Sequence, residues 1–246
     1  MRATEKIVSG VTFVESLTDI RKVVDTILEV DEGLQGERTL SMEKSFNMKK
    51  GGAYNLPESI FRGGDDLFIG LGWECEDDVD LDASILAIYK PNESKVRDAE
   101  PIYFGRQSGC GGAVKHQGDN RTGDGKGDDE VILIDLDAIP DNIESLVVVV
   151  NVYSSEYSFK NVKDAYVRLV ACGNNHEFAR FNLDDTVKSS GIIFLKIARS
   201  CQPKTWCVEP VGEEVDGPRA VTMMAEACGV TGELRSRFKG SCCVIS

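Results

Sequence analysis

Residues 72–84, GWECEDDVDLDAS, set Asp78, Asp80 and Asp82 at alternate positions with Val79, Leu81 and Ala83 between them, and ILAIY at 85–89 carries the run on. Alternation with a period of two is the signature of a β-strand. Side chains at i, i+2 and i+4 of a strand share one face, so the apolar set turns to a core and the three carboxylates line up opposite. Neighbours on that face stand roughly 7 Å apart, and at an effective dielectric near ~20 each adjacent pair repels by about 2 kcal/mol. A chain that keeps them there needs a compensating charge.

Working outward, the rest of the sequence offers more short strands bounded by turn signals. SFNM (45–48), DLFIGLGW (66–73), VDLDASILAIY (79–89), PIYFG (101–105), EVILIDL (130–136), SLVVVVNVY (145–153), AYVRLVA (165–171), EFARFNL (177–183), GIIFLKIAR (191–199) and KTWCVEPV (204–211) follow one another. Such a series indicates an all-β-dominated sandwich or barrel. Helical spacing is confined to the two ends. Thr12 and Glu15 form a capping box ahead of Phe13, Leu17, Ile20, Val24, Ile27 and Leu28, which predicts an amphipathic N-terminal helix over 13–30, stopped near Gly33. GPRAVTMMAEACG (217–229) predicts a short C-terminal helix stopped by Gly229. The organisation expected is a helical extension and linker (1–41), a β-domain (42–230) and a basic tail (231–246).

Composition narrows the function classes. A chain of 246 residues with 41% hydrophobic content can bury a full core. A formal charge of -13 argues against nucleic acid, whose phosphates call for a basic surface, and favours a cation as partner. The N-terminus has no apolar run long enough for a leader or a membrane span, so the expected compartment is the cytosol. The eight cysteines include no CxxC pair and read as reduced thiols.

The strand carboxylates belong to a larger acidic field. Eight acidic residues and no lysine or arginine lie between Asp65 and Asp82. A second cluster, GDNRTGDGKGDDE (118–130), contributes Asp119, Asn120, Asp124, Asp128, Asp129 and Glu130 among glycines at 118, 123, 125 and 127. Glycines permit positive φ and let a loop wrap a cation. The oxygen-only donor set favours calcium, which takes six to eight oxygen ligands in a flexible geometry, whereas zinc calls for His or Cys. His116, just before the loop, reads as a hydrogen-bonding or packing residue rather than a ligand. The loop is not an EF-hand, because Arg121 stands at the third position counted from Asp119 and the flanks read as strands.

These two motifs together closely resemble the TerD family, associated with tellurium resistance and stress response, whose members share a G-W…D-x-D-L-D-A-S strand and a G-D-N-x-T-G-x-G-x-G-D-D-E loop. FNMKKGGAYNL, NVKDAYVRLV and EFARFNL also match family strands, and the likeness covers roughly 45–229. The resemblance implies a β-sandwich of two mainly antiparallel sheets binding calcium, often at two neighbouring sites. Carried over by motif position, the ligand candidates are Asp78, Asp80 and Asp82 on the strand and Asp119, Asn120, Asp124, Asp128, Asp129 and Glu130 in the loop. The N-terminal forty-odd residues and the extreme C-terminus depart from the compact bacterial pattern.

The chain ends RSRFKGSCCVIS, and Cys243-Val244-Ile245-Ser246 fits the C-a-a-X prenylation signal, with a terminal Ser favouring farnesyl on Cys243. Cys242 is a palmitoylation candidate, and Arg235, Arg237 and Lys239 supply a basic flank for anionic lipid. The function expected is a calcium-binding module, peripheral on the cytosolic face of a membrane, acting as sensor, buffer or scaffold for protein partners. The alternative is a C2-like module in which calcium bridges to phospholipid. A metal-dependent hydrolase is disfavoured, since no G-x-S-x-G, H-E-x-x-H or P-loop is present and the nearness of Cys110 to His116 in sequence does not make a dyad.

Overall fold

The computed structural model describes residues 52–61, 64–75, 79–90, 99–123, 126–154, 157–183, 187, 189–200 and 205–215. Twelve strands occur among them: β1 (Tyr54–Asn55), β2 (Leu67–Cys75), β3 (Leu81–Tyr89), β4 (Ala99–Ile102), β5 (Ser108–Gly109), β6 (Val114–His116), β7 (Glu130–Ile134), β8 (Ile143–Val152), β9 (Val162–Ala171), β10 (His176–Asn182), β11 (Gly191–Arg199) and β12 (Trp206–Val215). They form two six-stranded sheets, ordered β1-β12-β11-β8-β3-β4 in the first and β10-β9-β2-β7-β6-β5 in the second. Every pairing is antiparallel. Among the described residues the helical turns are three short 3-10 segments, Glu58–Ile60, Cys110–Gly112 and Phe159–Asn161. The predicted helices at 13–30 and 217–229, the linker, the strand at 45–48 and the lipidation cysteines Cys242 and Cys243 lie outside the described residues.

Where apolar periodicity was strong, the strands fall where the sequence puts them. GIIFLKIAR forms β11 with the expected bounds. PIYFG is shifted: β4 ends at Ile102, because Tyr103 and Arg106 exchange backbone hydrogen bonds across a tight turn. Strands β1, β5 and β6 are two or three residues long and carry no readable period.

The two sheets differ in what lies on their outer faces. Side chains from both enclose one core that includes Phe159, Phe178, Phe194, Leu67, Ile69, Leu81, Ile85 and Val148. In the second sheet burial alternates: β7 buries Glu130, Ile132 and Ile134 and half-exposes the residues between them, while β9 exposes Lys163 and Asp164. That is the pattern of a sheet with one wet face. In the first sheet β3, β8 and β11 are buried almost without interruption. Leu86, Ile88, Val147, Val149, Ile193, Val211 and Val215 form a second cluster on the face turned away from the core. The carboxylate face of the VDLDAS strand therefore becomes apolar after Ser84, where Leu86 and Ile88 follow at the same alternate positions.

Candidate metal centre

Asp80 and Asp82 sit where the first sheet meets the loop that leads into β7. Leu81 and Ala83 point into the core, which turns Asp80 and Asp82 to the other side. Asp119 reaches them from the loop, and the three side chains offer oxygens that all lie within 4.8 Å of one another. Ligands placed ~2.3–2.6 Å from a common calcium ion are separated by at most about 5 Å, so this spacing suits one cation. Asp82 accepts a hydrogen bond from Asn151 Nδ2 at 3.2 Å through Oδ2, and its Oδ1, like Asp80 Oδ1, is buried with no donor.

Glu130 borders this group from the start of β7. Its Oε2 accepts the Ala83 N–H at 2.8 Å, a backbone donor beyond the reach of β4, and its Oε1 is buried without a donor. His116 lies alongside, with Nδ1 accepting from the Gly118 N–H at 3.2 Å and Nε2 3.6 Å from Glu130 Oε2. The bond at Nδ1 fixes the tautomer, leaving the Nε2 proton facing the carboxylate.

The electrostatics follow from crowding acids in a half-dry site. Burial, followed by the charges of Asp119 and Glu130, pushes Asp80 up to about 6, with Arg121 acting in the opposite direction. Burial, then Glu130 and Asp80, pushes Asp82 up to about 8 against the lowering effect of Asn151. Glu130 is raised by burial, with His116 and the Ala83 N–H opposing. Carboxylate oxygens buried without a donor are costly. A divalent cation would satisfy them, and an all-oxygen set of carboxylates is the donor chemistry calcium takes.

The other candidates do different work. Asp128 receives a two-pronged bond from Arg168, at 2.8 Å from Nε and 2.7 Å from Nη2, and a third from the Tyr166 hydroxyl at 3.1 Å. It lies over β2, where a Cβ on Gly70 would stand 2.4 Å from its Cγ and one on Gly72 2.5 Å from the Gly127 carbonyl oxygen. The GLG of β2 is therefore a trough in which the loop lies. Asp129 accepts from the Trp73 N–H at 2.9 Å and from Asn120 Nδ2 at 3.1 Å. Asn120 Oδ1 takes the N–H groups of Thr122 and Gly123, each at 3.1 Å, and so shapes the loop. Asp78 and Asp124 lie outside the described residues.

Several contributors escaped the sequence reading. Trp73 donates its indole N–H to the Val79 carbonyl at 3.1 Å and leaves no room for a side chain at Gly123, whose φ is +62°. The indole thereby fastens the loop to the chain entering β3. Asn151 was passed over as one polar residue inside VVVVNVY, although a lone amide in an apolar strand is itself a signal. Arg168 and Tyr166 gave no local signal at all. Cys110 is buried, and its thiol is pushed up to about 12 by burial and by Glu100, so it is poorly placed to act as a nucleophile.

The TerD domain profile matches residues 44–225. The chain is 37% identical over 174 residues to stress response protein SCP2 of Bacillus subtilis, covering 62% of this chain and 84% of that protein. It is 34% identical over 182 residues to tellurium resistance protein TerD of Serratia marcescens, covering 70% of this chain and 92% of that one. The fold is similar to the crystal structure of a Streptomyces coelicolor homologue of telluride resistance protein (TerD), with a TM-score of 0.55, 18% identity, and coverage of 65% of this chain and 96% of that one. By sequence motif, by profile and by fold, this chain belongs to the TerD domain family.

Proposed function

We propose that this TerD-family protein is a calcium-binding module in which Asp80, Asp82 and Asp119 hold the ion and Glu130 borders it. The observation that carries this reading is the convergence of three carboxylates within 4.8 Å, two of them with buried oxygens that lack any donor. Bound calcium would supply positive charge to a site whose own groups are acidic. The surrounding residues supply the rest: Asn151 orients Asp82, His116 faces Glu130, and Trp73 with Asn120 and Asp129 shapes the loop that delivers Asp119. The module binds rather than turns over, a reading supported by the buried, raised thiol of Cys110.

The sequence of the tail extends the proposal to a setting. Prenylation of Cys243, with Cys242 as a second acyl site and a basic flank, would hold the module on the cytosolic face of a membrane as a sensor, buffer or scaffold. Among the described residues no helix is long and apolar enough to cross a membrane. Relatives named for tellurium resistance and stress response support a role in stress.

Two measurements test the two limbs. Thermal unfolding of chelator-stripped protein should shift upward with calcium in proportion to the logarithm of its concentration, by about 2.7 kcal/mol at a hundred times Kd, and an unmoved transition at millimolar calcium would refute the metal limb. In a eukaryotic host, the Cys243→Ser chain should move from the membrane to the soluble fraction. If wild type is already soluble there, the anchoring limb fails.

A further inference from the structure

The carboxylate site has aromatic neighbours that ion binding does not use. Tyr153 follows the end of β8, and its N–H donates to the Asp80 carbonyl at 2.9 Å, which continues the ladder between β8 and β3. Val150 and Val152 face the core, so alternation turns Tyr153 to the side of Asn151, whose amide bonds Asp82. Phe104 stands just past the end of β4. Strand β3 lies between β8 and β4, yet the Phe104 and Tyr153 rings meet edge to face with centroids 5.7 Å apart. Their contact therefore crosses β3 beside its acidic start, and Tyr103 adds an edge-to-face contact to Phe104 at 5.3 Å. Tyr103 and Phe104 are half-buried. Tyr153 is 36% exposed, which makes it the exposed large hydrophobic side chain among the described residues.

We propose that Tyr103, Phe104 and Tyr153 form a rim that docks the calcium-loaded module onto an anionic phospholipid surface, with headgroup phosphate oxygens entering the ion's coordination shell. Docking of this kind rests on calcium being held at Asp80, Asp82 and Asp119, and it names the surface that the loaded site meets. Coordination is the first argument. Calcium takes about six to eight oxygens, three carboxylates meet here and Asp119 is exposed, so oxygens from outside have a place on the ion. The chemistry of the rim is the second. Tyrosine and phenylalanine rings packed on protein at one side and open at the other settle at the headgroup level of a bilayer, whereas a free phosphate would leave the rim unused. Charge is the third. Arg121 is exposed and its charge is felt at Asp80, and Arg106, across the turn from Tyr103, is exposed beside Glu100. With calcium in place these guanidiniums add to a positive face for phosphate. Without it, Asp80, Asp82, Asp119 and Glu130 repel anionic lipid, and a chain of formal charge -13 offers no background attraction. The ion therefore gates the contact.

A calcium-gated contact also bears on the tail. One prenyl chain holds a protein to a bilayer only reversibly, so a second contact made when calcium rises would turn weak attachment through Cys243 into stable attachment.

The test uses the full, unlipidated chain in two parallel assays: calorimetric calcium titration without vesicles, and co-sedimentation with vesicles of phosphatidylserine and phosphatidylcholine in equal parts. Wild type should sediment with calcium and stay in solution with chelator, and vesicles of phosphatidylcholine alone should not carry it down. Tyr153→Ser should keep the vesicle-free titration of wild type and lose about tenfold or more in vesicle affinity. Tyr153→Trp should keep both. Because Trp73 and Trp206 are each 2% exposed, a blue shift of emission in that variant, requiring calcium and phosphatidylserine together, reports entry of position 153 into the headgroup layer. An absent titration without vesicles would sink the ion-binding reading and the docking with it. A normal titration with no calcium-dependent sedimentation, or with Tyr153→Ser sedimenting as wild type does, would overturn the docking and leave ion binding standing. Equal sedimentation with calcium and with chelator would assign the contact to Arg235, Arg237 and Lys239 of the tail and overturn the docking too.

Discussion

Asp82 and Asp128 come from the two acidic motifs and are both withdrawn from solvent, yet they are held in opposite ways. Asp128 has a guanidinium gripping both oxygens and a phenol besides. Asp82 has one amide for one oxygen, nothing for the other, and carboxylates on either side. The protein supplies the counter-charge for the first and leaves the second without one. A carboxylate with its own arginine is a fastening, and a cluster without one is a site for a cation from outside. The difference also divides the loop at 118–130: its end at Asp128 is pinned over β2 and β9, while Asp119 and Glu130 reach the uncompensated acids.

The largest expected effect breaks the pinned side. Arg168→Gln leaves Asp128 buried without its cation and should cost about 3 kcal/mol, the lower end for a broken buried pair because Arg168 is a quarter exposed. Urea unfolding would measure it, and adding Asp128→Asn should recover part of the loss. Gly70→Ala drives a methyl into the Asp128 carboxylate and should cost about 2 kcal/mol in the same assay.

On the uncompensated side the expected signature is pH dependence. Asp80 and Asp82 have folded-state values raised to about 6 and about 8 from an ordinary 3.8. The native metal-free protein therefore holds more protons than the unfolded chain between roughly pH 4 and pH 8, and its stability should fall as pH rises through that window. Saturating calcium should flatten the slope. Thermal melts across pH, with and without the ion, would check both statements. The smallest effect sharpens the comparison: Tyr166→Phe removes one of three donors to Asp128 and should cost about 1 kcal/mol without altering calcium affinity.

Much of this was legible in the sequence, for identifiable reasons. A period of two over VDLDASILAIY puts Asp80 and Asp82 on the side away from Leu81 and Ala83, which is local information. Asp128, Asp129 and Glu130 are consecutive acids that sequence could not tell apart, because their fates are set by Arg168, Trp73 and Ala83, which are 40, 56 and 47 residues away. The role of the glycines of β2 was not legible within DLFIGLGW, because it is set by Gly127 and Asp128 of the distant loop lying on them. Strands β5 and β6 were missed because strands of two or three residues are too short to show a period. The apolar outer face of the first sheet was present in the VVVV of β8, where the lack of alternation already signals burial on both sides.

The most direct test of the central claim is calorimetric titration of calcium into the chelator-stripped full chain, run in parallel with Asp82→Asn and Asp128→Asn. The account predicts saturable binding by wild type, loss of at least tenfold in affinity in Asp82→Asn, and a smaller loss in Asp128→Asn despite its greater cost to stability. Equal losses in the two variants, or no binding by wild type up to millimolar calcium, would contradict it.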